Sequence, residues 1–335
     1  LTVEAYTVGW ICALPNVFAA SKAMLDEAHT ELRRDETNSQ YALGRIGQLN
    51  VVLACLPAGM DDTNNVDMVA PNLLRRFPGI RFSLMVGIGG GAPSDEHDIH
   101  LGDVVVSKPG STHGGVVQYV PGKTIEEGGF IRTSSLNKLP PVLLTAITVL
   151  EVRHRTQKSK VSQHLSKILA LYPTMAQQFQ YQDSEHDLLF EANYNHLSSQ
   201  ATCDNCNNER LVSRPSRHTT DPVIHYGLIG LVNQIPRNGS SREKLRQEKN
   251  ILCFETEAAG LVDNFPCLII YGISNYSDSH RDKWWESYAA AVAAAYAKEL
   301  LYIIFKIQAD STKETPELQG LGQFKSSIGK EKRGS

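Results

Sequence analysis

The sequence predicts an α/β fold built on a mostly parallel sheet, and three observations carry that expectation. Short apolar runs alternate with helix-patterned segments, the order that lays helices on the faces of a sheet. At 335 residues and 41% hydrophobic content, the chain can bury a sizeable core. Two of the runs, RFSLMVGIG and CLIIYGIS, lead into a glycine stretch (Gly89 to Gly91) and a polar stretch (Asn275 to His280), the kind of strand end where α/β sheets hold ligands.

Element by element, a first block from about Tyr6 to Leu150 reads as follows: strand YTVGWICAL, a helix beginning near Phe18, strand NVVLACLP, a helix around Val66 to Arg76, then strands RFSLMVGIG and LGDVVVS. A second block, Val223 to Gln308, reads VIHYGLIGLV as strand, EAAGLVD as helix, CLIIYGIS as strand and WESYAAAVAAAYAKELLYIIFKI as a long helix. The Ala, Leu, Glu and Lys content of that last segment favours helix strongly. Residues 151–222 are basic and polar and read as a long insertion between two halves of one sheet, tolerated because closure entropy grows slowly with loop length. One domain over 1–308 is therefore expected, with 309–335, rich in Lys, Glu, Gly and Ser, as disordered tail or linker. No internal repeat is visible.

Lys plus Arg total 33 against 36 Asp plus Glu, a formal charge of -3, which leaves no global basic field for nucleic acid or anionic membrane. No apolar run reaches the ~18 residues of a membrane span, and no signal peptide is recognisable. A soluble, cytoplasmic protein is expected, although the opening Leu1 leaves room for a longer native start. Cys12, Cys55, Cys253 and Cys267 sit in apolar runs, as small buried hydrophobes do, which suggests a reducing compartment. Cys203 and Cys206 form CDNC in a polar segment after His196. A zinc site needs four ligands; His218 is the candidate fourth, the alternative is a solvent-exposed CxxC loop, and no metal is assigned.

The run VGIGGGAP has the first spacing of a dinucleotide fingerprint, but a polar loop and another strand follow it where that fingerprint needs a helix. Its three glycines could instead offer backbone N–H groups to an anion or a ribose, or simply form a tight turn. In FETEAAGL, Glu255 and Glu257 alternate across a strand end, so one can face a pocket and accept hydrogen bonds from vicinal sugar hydroxyls; the other reading is a carboxylate capping the next helix.

Taken together, VGWICALP, YALGRIG, VVLACLPAG, VGIGGGAP, DIHLGDVVVS, GGVVQY, FETEAAGL, FPCLIIYGIS and YSDSH closely resemble the fungal branch of the purine nucleoside phosphorylase and nucleosidase superfamily, over about residues 5–306. The resemblance implies a three-layer α/β fold with a central mixed, barrel-like sheet surrounded by helices. It implies cleavage of an N-glycosidic bond by phosphate or water, with no cofactor beyond phosphate as a co-substrate. A small-molecule substrate and a homo-oligomeric assembly are the implied partners. In fungi such a domain often fronts large sensor proteins.

Several family positions are altered. The FEMEAAG-like segment keeps its ribose-gripping carboxylate as Glu257 but has Thr256 for Met; the aspartate that protonates the leaving base in an ICDYADSH-like segment is Asn275; the glutamate of an ALPxE-like stretch is Val17. His100 replaces an Arg, Tyr271 stands in the RGIC-like segment, Asp62 replaces a glycine, and the ASGNQV-like segment reads GLVNQI, with Leu231 and Val232 ahead of Asn233. Arg45 and Arg132 are candidate cations for a phosphate.

Carried over residue by residue, the site comprises Asn275 and Asp278 in catalysis, with Glu257, Thr256, Glu255, Gly89, Gly90, Gly91, Val17, Tyr271, His280 and Asn233 around the substrate. Glycosidic cleavage makes the sugar carbon cationic and the base anionic, so acid catalysis matters, and losing it slows such reactions about 10²- to 10⁴-fold. An amide cannot donate a proton as Asp does, although it can hydrogen-bond a purine N7. Three readings follow: a surviving purine-nucleoside-cleaving enzyme; a repurposed cyclase or isomerase of secondary metabolism with a greasier pocket; or a ligand-sensing front domain of a larger protein.

Overall fold

The computed structural model describes residues 1–30, 40–56, 63–120, 130–132, 139–196, 202–232, 236, 238–256, 267–281 and 283–327. In chain order the elements are β1 (Val8–Cys12), α1 (Pro15–Ala23), β2 (Glu27–Ala28), β3 (Gln40–Ile46), β4 (Leu49–Cys55), α2 (Thr63–Arg76), β5 (Phe82–Gly91), β6 (Val104–Ser107), β7 (Val116–Val120), β8 (Phe130–Arg132), α3 (Pro141–Thr156), α4 (Val161–Leu171), α5 (Pro173–Phe179), β9 (Ile224–Val232), α6 (Gly239–Lys249), β10 (Ile251–Glu255), β11 (Cys267–Asn275) and α7 (Glu286–Ser327). The fold class is the α/β one expected, but the sheet is mixed. It runs β2-β3-β4-β1-β5-β11-β6-β9-β7-β8, and β10 bridges β5 and β9.

That bridge closes a ring. β5 pairs in parallel with β11, β11 antiparallel with β6, β6 in parallel with β9, β9 in parallel with β10, and β10 antiparallel with β5. A five-stranded barrel results, and the outer strands continue its sheet on either side. Two of the five ring pairings, β11 with β6 and β10 with β5, are antiparallel, so the sheet is mixed, as the family resemblance implies, and not mostly parallel as strand–helix alternation alone suggests.

The two faces of the sheet bury different cores. Side chains alternate along a strand, so Leu268 and Ile270 of β11 pack with Val8, Trp10, α1, α3, α4 and α7, whereas Cys267, Ile269, Tyr271 and Ile273 turn to the other face. There they meet Met85, Val105, Ile229, Leu231 and Cys253 inside the ring and α2 beyond it. The four cysteines expected to be buried hydrophobes are buried. Burial pushes the Cys12 thiol up to about 12.

Helix α7 is more than a favourable composition. Every residue from Ala289 to Ala297 is without solvent exposure, and a helix apolar all round belongs in a core. Its small side chains let the backbone touch the sheet: a Cβ at Gly272 of β11 would lie 2.0 Å from the Ala289 carbonyl oxygen. Its two buried charges are held. Lys298 Nζ donates to the Met24 carbonyl (2.5 Å) and pairs with Asp26 (2.8 Å). Glu299 accepts from the backbone N–H of Lys160 (3.1 Å), at the start of α4, where helix-end N–H groups lack partners. The backbone continues as helix past Ala309, where composition predicts a tail, because extending a formed helix is far easier than starting one.

The insertion begins inside α3, and α3 and α4 pack their apolar residues on α7. The helix expected at EAAGLVD lies outside the described residues. Replacing Gly272 by Ala is expected to destabilise the fold by about 1–3 kcal/mol, the typical effect of overpacking, seen as a lower urea midpoint with an unchanged slope. An unchanged midpoint would show that α7 does not rest on this glycine.

Candidate functional site

The C-terminal end of β5 is where the barrel closes. Gly90 stands opposite Phe254 of β10 on one side and Asn275 of β11 on the other, and the register of β11 shifts between Ile273 and Asn275. The glycines are dictated by crowding. A Cβ at Gly89 would meet Cys253 Sγ at 2.5 Å, at Gly90 Ser277 Oγ at 2.0 Å, and at Gly91 Ile273 Cγ2 at 2.9 Å. The run is thus strand backbone paired on both flanks and not a free loop.

Asn275 ends β11 half-buried. Its Oδ1 accepts from the Ser277 backbone N–H at 2.9 Å, an Asx turn, and its Nδ2 donates to Ser274 Oγ at 3.2 Å. An ionised aspartate could keep the first bond, but it could bond Ser274 only by accepting from the hydroxyl, which here donates to the Gly89 carbonyl at 3.4 Å. Ser277 takes a left-handed backbone, φ 52°, that folds the turn over Gly90.

Asp278 is buried as an anchor: its Oδ1 accepts from the His280 N–H at 2.8 Å, and its Oδ2 lies 3.5 Å from Arg242 Nη1. Arg242 also donates to the Tyr276 carbonyl at 2.8 Å. His280 is buried, with its ring 4.1 Å from that of Phe190. The structure therefore brings Gly89 to Gly91, Glu255, Thr256 and Asn275 to one strand end, with Glu255 buried and Thr256 half-buried just beyond it.

Three of the expected residues are taken up by other contacts. Tyr271 has no solvent exposure and fills the ring interior, where a Cβ at Gly87 would touch its Cε1 at 2.3 Å. Val17 is buried on α1 in the apolar cluster with Trp10 and Met24. Arg45 pairs with Glu27 at 2.6 Å on the outer hairpin, with β4 and β1 between it and β5. Glu257, Asn233 and Asp62 lie outside the described residues, as does the side chain of Arg132.

Sequence reasoning missed a polar network that ties the insertion to the segment after β5. Asp103, buried, accepts from Arg217 (2.6 and 2.7 Å), His225 Nε2 (3.1 Å) and the N–H groups of His100 (2.8 Å) and Val223 (2.9 Å). Asp187 faces His100 Nδ1 (2.5 Å) and Arg214 (3.3 Å), and accepts from the Tyr276 hydroxyl. Arg214 also donates to that hydroxyl at 2.9 Å, so the residue directly after Asn275 is held by the insertion. His100, which replaces an Arg of the family motif, serves this network. The one signal available was the density of Asp, His and Arg in DEHDIHLGD and RPSRH. A cleft of about 1040 Å³ opens between the insertion and α6, and charged Arg214, Arg242, Glu243 and Arg246 are among its walls.

Against known proteins, no family model matches the chain. A curated relative, a nucleotide-binding leucine-rich repeat (NLR)-like protein of Hyaloscypha variabilis, is 42% identical over 307 residues, which make up 91% of this chain and 30% of that protein. The chain thus spans under a third of that relative's length. Among solved structures, futalosine hydrolase of Helicobacter pylori superposes with TM-score 0.56 at 13% identity, covering 89% of this chain and 97% of the other. A 5'-methylthioadenosine/S-adenosylhomocysteine nucleosidase from Neisseria meningitidis, in complex with methylthio-immucillin-A, gives TM-score 0.53 at 14% identity, covering 88% and 98%. A Helicobacter pylori nucleosidase with an Asp-to-Asn replacement and 5'-methylthioadenosine in the active site gives 0.55 at 13%, covering 88% and 98%. The chain shares the fold of these nucleosidases and of futalosine hydrolase, the fold that its motifs imply.

The network sets an acid limit. Burial alone would raise the Asp103 carboxyl, but hydrogen bonds from His225 and Arg217 outweigh it and hold the group below the ordinary 3.8. Burial of Asp187 is outweighed in the same way by His100, Arg214 and Tyr276. The folded state then binds fewer protons than the unfolded one, so this stabilisation is complete above the ordinary aspartate value and fades as pH falls through the lower, folded one. Denaturant midpoints should drop below about pH 4. Asp103→Asn should flatten that drop and cost about 3–5 kcal/mol at neutral pH, the usual effect of breaking a buried pair. Parallel pH curves for variant and parent would contradict this.

Proposed function

We propose that the domain recognises a purine-type nucleoside as the ligand-sensing part of a larger NLR-like protein, and that rapid N-glycosidic cleavage is not its output. The observation that carries this is Val17. At the place where the hydrolytic relatives' motif has a water-orienting glutamate, the side chain is apolar and sealed in the core beneath α1. A valine there can neither accept a proton nor orient water.

Asn275 supports the same reading from the base side. Both ends of its amide are engaged in the turn that closes on Gly90, and it has no acidic proton to give a departing base. Loss of such a donor slows cleavage about 10²- to 10⁴-fold. Binding is a separate matter: the solved relative with an Asp-to-Asn replacement has 5'-methylthioadenosine in its active site, so this fold can hold a nucleoside with an amide in place of an aspartate. The share of the NLR-like relative that the chain spans fits one module among several. Ribose contact falls to Glu257 and base contact to Asn275, with Leu231 inside the ring making the base side more apolar.

The test is calorimetric titration with adenosine, inosine and 5'-methylthioadenosine, followed by mass spectrometry of the mixture after hours with and without phosphate. Saturable binding that Glu257→Ala abolishes, with the nucleoside recovered intact in both buffers, is the expected result. Free base in large excess over protein would overturn the reading, and its dependence on phosphate would tell phosphorolysis from hydrolysis.

A further inference from the structure

The CDNC segment has a geometry that the proposed nucleoside site does not use. One ring nitrogen of His196 and the Sγ atoms of Cys203 and Cys206 all lie within 4.8 Å of one another. A tetrahedral zinc needs edges of about 3.6–3.8 Å between such ligands, from Zn–S near 2.3 Å and Zn–N near 2.0 Å. A side-chain adjustment of about an ångström would therefore suffice. Cys206 is buried, unlike a cysteine of a solvent-exposed CxxC loop.

The surrounding structure holds these three groups together. The Cys206 N–H donates to the Cys203 carbonyl at 2.9 Å, closing the CxxC turn. The next N–H, of Asn207, donates to the Tyr194 hydroxyl at 2.9 Å. The chain on either side is zipped by the Phe190–Leu211 bridge and the Arg210–Glu191 ion pair (2.7 Å). His196 is fixed at both ends: its backbone N–H donates to Ser279 Oγ (2.8 Å), and its Nε2 bonds the Thr202 carbonyl (2.9 Å). With the proton on Nε2, Nδ1 carries the lone pair a metal needs, and a carbonyl on the other nitrogen is the usual outer support of a metal-bound imidazole.

A second observation points the same way. His280 stands beside the group, its ring centroid 5.5 Å from that of His196. Its side chain is only 3% exposed, with Nδ1 3.6 Å from Asp278 Oδ1, and among the described residues neither ring nitrogen has a hydrogen-bond partner. A buried imidazole in that state is costly and calls for a partner.

We propose that His196, Cys203 and Cys206 bind a zinc-class divalent cation, with His280 or a water in the fourth position. Two thiolates and an imidazole suit zinc over magnesium or calcium. On binding, each thiol gives its proton to solvent and its sulfur lone pair to the metal, so two protons leave per ion and no oxidant is needed. The role is structural: the ion would clamp the insertion onto the Tyr276–His280 loop that begins directly after Asn275.

The full chain, made in zinc-supplemented medium and purified without chelator, should carry about one zinc by elemental mass spectrometry. Cobalt(II) should give intense tetrahedral bands with thiolate charge transfer. Cys203→Ser with Cys206→Ser should lower the metal at least tenfold. Because that variant could misfold, alkylation of the parent protein gives an independent reading: Cys203 and Cys206 should react at least tenfold faster once a chelator is added. Metal-free parent protein whose two cysteines alkylate equally fast with and without chelator would overturn the proposal, as would undiminished zinc in the double variant.

Discussion

The architecture depends on how closely strands may approach the end of β5. Three successive residues without side chains let β10 and β11 pair with the same stretch of backbone from opposite sides. At Gly89, Gly90 and Gly91 a single added carbon would run into a neighbour. Gly87 serves the same end one pleat earlier, because the Tyr271 ring lies against it. The barrel closes through that contact, and closure carries Asn275, Glu255 and Thr256 to one place. The polar strand end and the packed ring interior are thus two consequences of one steric constraint.

A second layer of organisation is electrostatic. Asp103 is buried and Asp187 half-buried, and each is surrounded by donors drawn from different parts of the chain, so ion pairs anchor the insertion in addition to the apolar packing of α3 and α4 on α7. Buried charges of this kind add little net stability, but losing one partner is severe. Their consequence is positional. Tyr276 is gripped by Asp187 and Arg214, and the turn beginning at Asn275 is therefore fixed from the insertion side. His100 illustrates the principle: its backbone bonds Asp103 and its ring bonds Asp187, so it ties the segment after β5 to the insertion.

Much of this was legible in the sequence. The strands around Trp10, Val52, Met85 and Ile269 and the long Ala-rich helix follow from apolar runs and helix propensity, and the family motifs imply the barrel. The mixed sheet was not legible from alternation alone, because β10 is short and its antiparallel pairing with β5 is a tertiary fact. Tyr271 illustrates the limit at the site. It sits beside the polar stretch in sequence, but pleating turns it to the ring interior, and only the missing Cβ of Gly87 makes room for it there. The Asp103 and Asp187 networks were hidden because, apart from the His100 N–H on Asp103, their partners lie between 27 and 122 positions away along the chain.

We propose that a nucleosidase-type fold here holds a nucleoside without groups placed to move protons in its cleavage. A crystal structure of the chain soaked with a purine nucleoside tests this most directly. The account predicts an unbroken N-glycosidic bond, the Asn275 amide as the polar group on the base, and Val17 still sealed in the core. Separated base and sugar, with a carboxyl group such as that of Asp278 or Glu255 swung against the glycosidic nitrogen, would contradict it.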